Sequence, residues 1–203
     1  MSGASEGAFK ELLRVVKFVT DTATYGLRVE PQMEPDAMWD LKIYTDSDWA
    51  GDKDNRHSVS GFIMYLMNVP ILWKSKLQRT VALSSTEAEY YALSEATKEI
   101  KFLVQVMQSL GMQIRFPIIV RVDNVGAIFM AENNTATART RHVDARYHFV
   151  REYVIEGYIK IIFVKTAENL SDGFTKNVIQ EIYNQHTPTY IQERSTFKCN
   201  QQY

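Results

Sequence analysis

VALSSTEAEYYALSEATKEIKFL, residues 81–103, is where the chain changes period, and that change decides the fold. Ser84 is followed three residues later by Glu87, the pairing that marks a helix N-terminus. Leu93, Ala96, Ile100, Leu103, Met107 and Leu110 then recur at intervals of three and four until Gly111, which predicts a helix of about 25 residues. Counting back four from Leu93 puts Glu89 on the same apolar stripe, so its carboxylate faces whatever this helix packs on. An unpaired charge there is costly. A divalent ion relieves that cost, because carboxylate oxygens are the ligands Mg²⁺ prefers. Glu87 is turned away from the stripe and serves the cap.

Upstream of this helix the signals are strand-like. LKIYTD (41–46) alternates Leu41, Ile43 and Thr45 against Lys42, Tyr44 and Asp46. Residues 59–67 and 70–74 are apolar, β-prone runs with a turn expected at Asn68-Val69-Pro70, and Thr80–Leu83 reads as a further short strand. Downstream, Pro117–Val122 is a nearly continuous apolar run and reads as a central strand. A short helix is expected over Asn124–Glu132, a polar loop over Thr135–Thr140 and a helix over His142–Glu156 closed by Gly157. Tyr158–Val164 reads as a strand and Asn169–Asn177 as a terminal helix. Three strands, a long helix and then alternating strands and helices make an α/β chain with a mixed sheet and helices on its faces.

The flanks differ in character. Residues 8–19 set Phe9, Leu12, Leu13, Val16 and Val19 at helical spacing, and residues 30–39, with two prolines and three acidic groups, read as a linker. The expected division is therefore 1–39, helix and linker; 40–177, the main domain; and 178–203, an aperiodic Gln/Thr/Tyr-rich tail with no function assigned.

A chain of 203 residues is long enough for one domain with a sizeable core. One cysteine, Cys199, excludes an internal disulfide framework and a Cys-rich zinc site. The N-terminus lacks the features of a signal peptide, and no window is a membrane-spanning apolar run, so a soluble chain of a reducing compartment is expected. A net charge of −1 gives no global argument for nucleic acid, yet a site that gathers carboxylates lowers that total.

Four acids fall where elements are expected to converge: Asp46 at the end of the first strand, Glu89 in the first turns of the long helix, Asp123 after the central strand and Asp172 in the last helix. They are 43, 34 and 49 residues apart, so only the fold can assemble them. Each aspartate also has an ordinary reading: a strand-end turn for Asp46, a helix cap for Asp123, a capping pair with Asn169 for Asp172.

At this point six segments carry a likeness. YTDSDWAGDKDNRHSVSGFIMYL (44–66), ILWKSKLQ (71–78), VALSSTEAEYYALSEATKEIKFL (81–103), RVDNVGAIFMAEN (121–133), RTRHVDARYHFVREYV (139–154) and NLSDGFTK (169–176) resemble, in collinear order, the ribonuclease H domain of Ty1/copia-type retrotransposon polyproteins. Residues 8–28 resemble the segment just downstream of the reverse transcriptase in the same polyproteins. The resemblance implies a ribonuclease H-like α/β fold with a five-stranded mixed sheet flanked by helices. It implies an Asp-Glu-Asp-Asp site, here Asp46, Glu89, Asp123 and Asp172, around two Mg²⁺ or Mn²⁺ ions. The implied activity is an endonuclease cutting the RNA strand of RNA–DNA hybrids during reverse transcription.

The implied partners are the hybrid and the reverse transcriptase polymerase domain, in cis or in trans, with no membrane. The implied location is the cytoplasm, including retrotransposon virus-like particles. Ser58, Ser60, Lys74, Lys76, Ser84, Ser85, Arg139, Arg141 and His142 are the candidates for substrate contact: cations for phosphates and hydroxyls for the 2′-OH that marks RNA. Many members of the wider fold carry a histidine shortly before the last aspartate. Residues 158–172 hold none, and Lys165 or Thr166 would be a partial substitute. An integrase reading is disfavoured because its glutamate comes last. The remaining alternative is a catalytically inactive or polymerase-dependent remnant that only binds nucleic acid or serves assembly.

Overall fold

The Leu93–Met107 stripe needs an apolar surface to cover, and the strand runs on either side of it supply one. The computed structural model describes residues 5–32, 38–52, 54–133 and 144–194. In chain order these form α1 (Glu6–Asp21), β1 (Tyr25–Leu27), β2 (Leu41–Asp48), β3 (Val59–Leu66), β4 (Val69–Leu77) and α2 (Ser85–Ser109). They continue with β5 (Ile118–Val122), α3 (Val125–Glu132), α4 (Asp144–Ile155), β6 (Ile159–Phe163), α5 (Gln180–His186) and β7 (Ile191–Glu193). Short 3-10 turns occupy Thr166–Glu168, Asp172–Phe174 and Thr187–Thr189.

The main sheet has the order β4-β3-β2-β5-β6. β2, β3 and β4 are antiparallel neighbours, whereas β5 runs parallel to β2 and β6 parallel to β5. This is the five-stranded mixed sheet flanked by helices that the resemblance implies. Leu41, Ile43, Phe62, Met64 and Val120 from the sheet meet Leu93, Ala96, Ile100 and Met107 of α2 in one buried cluster. Each of these side chains except Ala96 contributes about 1.5–3 kcal/mol of burial. Among the described residues no helix is long and apolar enough to cross a membrane.

Several elements differ from the sequence expectation. The hairpin between β3 and β4 turns at Met67-Asn68, both with positive φ (51° and 65°), and Val69 and Pro70 already belong to β4. A two-residue loop with both residues left-handed matches the twist of its strands. Thr80–Leu83 is not a strand; the Ala82 carbonyl accepts from Trp49 Nε1 at 3.1 Å instead of joining a ladder. Leu110, placed on the stripe by its spacing, is the exposed C-cap residue of α2.

The helix expected over Asn169–Asn177 is a 3-10 turn, because the Asn169 side chain takes local donors: Oδ1 accepts from the Ser171 N–H at 3.3 Å and its hydroxyl at 2.6 Å. Residues 178–194 fold back as α5, a 3-10 turn and β7, which pairs antiparallel with β1 in a separate two-stranded sheet.

Candidate functional site

The ladder registers bring the acids together. β2 runs in register with β5 from Lys42–Ile119 to Tyr44–Arg121. Two further steps along parallel strands set Asp123, just past β5, beside Asp46. α2 starts above the same sheet end, and its second turn delivers Glu89. Asp46, Glu89 and Asp123 each offer an oxygen such that all three lie within 4.8 Å of one another. Asp46 and Glu89 are buried and Asp123 is half-buried.

Local capping leaves these acids free. Ser84 accepts from the Glu87 N–H at 3.1 Å, and Glu87 Oε2 accepts from the Leu83 N–H at 2.8 Å, so Glu87 completes the N-terminus of α2 and Glu89 does not. Asn124, rather than Asp123, caps α3 by accepting from the Ala127 N–H at 2.9 Å. Asp123 therefore keeps its carboxylate for the cluster.

Asp172 joins from the 3-10 turn that follows β6. Asn169 Nδ2 donates to the Thr45 carbonyl at 2.9 Å, fixing that turn to β2 one residue before Asp46. Gly61, cross-strand from Asp46, permits the approach: a Cβ there would lie 3.0 Å from Phe174 Cβ and 3.2 Å from the Phe174 carbonyl carbon. The Thr175 hydroxyl donates a hydrogen bond to Asp46 Oδ2. Lys176 Nζ lies 3.5 Å from Asp46 Oδ2 and 3.2 Å from Asp172 Oδ1, so Asp172 meets Asp46 through a lysine.

The electrostatics follow from crowding acids in a poorly hydrated place. Burial, then Asp46 and Asp123, push Glu89 up to about 9, against the pull of the Ser47 N–H donating to Oε1 at 3.1 Å. Burial and Asp46 raise Asp123, opposed by a hydrogen bond from the Thr166 side chain. Asp172 is pushed up to about 6 by burial and Asp46, with Lys176 pulling the other way. Burial works against the Lys176 charge, but Asp46 and Asp172 outweigh it and hold the ammonium above the usual lysine range. Glu89 Oε2 is buried without a hydrogen-bond partner. An orphaned oxygen among three convergent carboxylates fits a hard divalent cation such as Mg²⁺ or Mn²⁺.

The candidates for substrate contact divide. Ser84 and Ser85 are exposed at the N-terminus of α2, and Lys76 is exposed on β4. Lys74 is half-buried, 3.2 Å from Glu99 Oε1. The Ser58 hydroxyl is turned inward and accepts from the Ala50 N–H at 3.0 Å, while Ser60 accepts from Gln78 Nε2 at 2.8 Å. Arg139, Arg141 and His142 lie outside the described residues.

A groove of about 330 Å³ is lined by Lys74, Lys76, Arg79, Lys98 and Arg146, with Glu95 paired to Lys98 at 2.7 Å and Tyr91 at its wall. Gln78 forms its inner end. Its Nε2 donates to Ser60 and to the Ala88 carbonyl at 3.0 Å, and it lies 3.3 Å from Ser47 Oγ, thereby touching residues next to both Asp46 and Glu89.

Sequence reasoning passed over Gln78, Thr175 and Lys176 as site residues. Lys176 and Thr175 were within reach of it, since they close the NLSDGFTK segment and Lys176 stands four residues after Asp172.

No family model matches the chain. It is 34% identical over 172 residues to the Retrovirus-related Pol polyprotein from transposon RE1 of Arabidopsis thaliana, a match covering 85% of this chain and 12% of that protein. It is 44% identical over 138 residues to the corresponding polyprotein from transposon TNT 1-94 of Nicotiana tabacum, covering 68% and 10%. The chain thus spans about one-eighth or less of the polyproteins it matches. Among solved structures, LC11-RNase H1 in complex with RNA/DNA hybrid superposes with a TM-score of 0.51 at 12% identity, over 70% of this chain and 97% of that one. Sequence and fold together make the chain a member of the ribonuclease H-like segments of retrotransposon Pol polyproteins.

Proposed function

We propose that this protein hydrolyses the RNA strand of RNA–DNA hybrids at the site formed by Asp46, Glu89, Asp123 and Asp172. The observation that carries the reading is the meeting of three carboxylates from three separate elements around the orphaned Glu89 oxygen. Mg²⁺ or Mn²⁺ ions held by these acids would supply the Lewis acidity that activates water and stabilises the leaving 3′ oxygen. The chain's own residues fix the geometry. The Ser47 N–H orients Glu89, the Thr175 hydroxyl orients Asp46, and Asn169 holds the Asp172 turn on β2. The basic groove gives the hybrid a track. Its cations would hold backbone phosphates in sequence-independent register, while the exposed Ser84 and Ser85 at the N-terminus of α2 would sense a 2′-OH. LC11-RNase H1 has been solved with such a hybrid bound, which supports the same substrate class here. Reverse transcription in cytoplasmic retrotransposon particles, with the polymerase region in cis, is the setting this reading implies.

The test is an end-labelled RNA–DNA hybrid incubated with the protein in Mg²⁺ and then in Mn²⁺, beside Asp123→Asn and a duplex-RNA substrate. Hybrid-only cleavage is expected, reduced ~100-fold or more in D123N. A folded protein that leaves the hybrid intact in both ions would overturn the reading.

A further inference from the structure

The carboxylate site has two unequal ends. At one, Asp46, Glu89 and Asp123 bring oxygens within 4.8 Å of one another. At the other, the negative charge is already met by a cation that belongs to the chain. Lys176 Nζ sits 3.5 Å from Asp46 Oδ2 and 3.2 Å from Asp172 Oδ1. The two aspartate side chains are 2% and 6% exposed, whereas the lysine side chain keeps 36% of its surface in solvent. The ammonium therefore reaches the acids from outside, on a flexible four-carbon stem that can swing away without unfolding anything.

Resting on the two-ion reading above, we propose that Lys176 is a positioning residue acting as an exchangeable counter-ion. It neutralises the Asp46–Asp172 end while that end holds no metal, and it must leave before a second divalent ion binds there. An ammonium and a divalent ion repel at such separations, so the two cannot share one pair of carboxylates. The first ion, entering at the Glu89 end, meets this competitor less directly: Lys176 pairs with Asp46 and Asp172, whereas Glu89 accepts from the Ser47 N–H and Asp123 from the Thr166 side chain. Loading is consequently ordered: the Glu89 end fills first and the Lys176 end second. The lysine also keeps Asp46 and Asp172 from repelling one another in the interval. In that interval the Asp172 turn, carrying Thr175 against Asp46, stays seated on β3 at Gly61.

Titration calorimetry of metal-free protein with MnCl₂, on the wild type, Lys176→Gln and Lys176→Arg, tests this together with melting in EDTA. The glutamine keeps most of the stem and removes the charge; the arginine keeps the charge. The wild type is expected to bind one ion well and a second more weakly. K176Q should tighten the second step by about tenfold and the first by much less, since a competing charge has gone. K176R should keep the weak second step. In EDTA, K176Q should melt below the wild type and K176R near it. A second step of equal affinity in all three proteins, or unchanged melting of K176Q in EDTA, would overturn the lysine's role and leave the two-ion reading standing. No binding of Mn²⁺ by any of the three would remove both.

Discussion

Burial and the charges of Asp46 and Asp123 push Glu89 up to about 9, so in metal-free protein at neutral pH this side chain carries a proton. The sign of its effect on stability follows from linkage. A carboxyl group whose folded pKa lies above the unfolded value of about 4.5 binds more protons folded than unfolded between the two values. Its contribution is fully present below pH 4.5 and is lost progressively as pH rises towards about 9. Glu89→Gln removes that loss. In EDTA its stability relative to wild type should therefore grow with pH, from near zero at pH 5 to on the order of a few kcal/mol at pH 9. At the same time it should abolish hybrid cleavage and weaken Mn²⁺ binding. A thermal-melting series in EDTA checks the first part, and a gap that does not widen with pH would show that Glu89 is charged in the metal-free fold. The same proton must leave when a cation binds, so divalent affinity of the wild type should rise with pH through this range.

At the scale of elements, apolar period was the readable quantity, and it failed where side chains compete with the backbone. The α2 stripe was legible because Leu93, Ala96, Ile100 and Met107 are all buried in the core, and Glu89 was legible as a member of that stripe. The turn at Asp172 was not, since Asn169 spends its amide on Ser171 and Thr45, bonds that no period records. Lys176 was legible only in part: its i,i+4 spacing from Asp172 is in the sequence, but its other carboxylate, Asp46, is 130 residues away.

Helix α1 shows the opposite case, a strong signal without a core behind it. Its spacing predicted an amphipathic helix, and a helix forms, yet none of its residues is buried and Leu12 and Val16 are each more than half exposed. Leu12→Lys and Val16→Lys should then change stability by no more than about 0.5 kcal/mol, measured by urea unfolding. A loss of about 2 kcal/mol or more would mean that this face is covered in solution.

The whole molecule is held at its ends by contacts that no local pattern announces. β1 and β7 are three residues each and pair Tyr25 with Glu193 and Leu27 with Ile191. The segment leading to β7 reaches the site itself. His186, buried at the end of α5, has Nε2 at 2.9 Å from the Ala167 carbonyl; a carbonyl only accepts, so Nε2 carries the proton. Ala167 lies in the 3-10 turn with Thr166, whose side chain bonds Asp123, and two residues before Asn169, which pins the Asp172 turn to β2. On the face of the sheet away from α2, Tyr65 and the Thr189 hydroxyl lie 3.0 Å apart.

Ending the chain after Asn177 would leave the β2–β3–α2–β5 core intact, because that cluster draws on no residue beyond Ile161. It would strip the Ala167 carbonyl and Tyr65 of their partners, at a cost of about 2–4 kcal/mol when the lost apolar cover is included. The specific consequence is local. Amide exchange over residues 166–175 should quicken well beyond that of β2 and β5, and hybrid cleavage should fall because Asp172 is carried on the loosened turn. Exchange that quickens evenly across the sheet would make the segment a general stabiliser. Unchanged exchange at 166–175 would remove the C-terminal segment from the support of the site altogether.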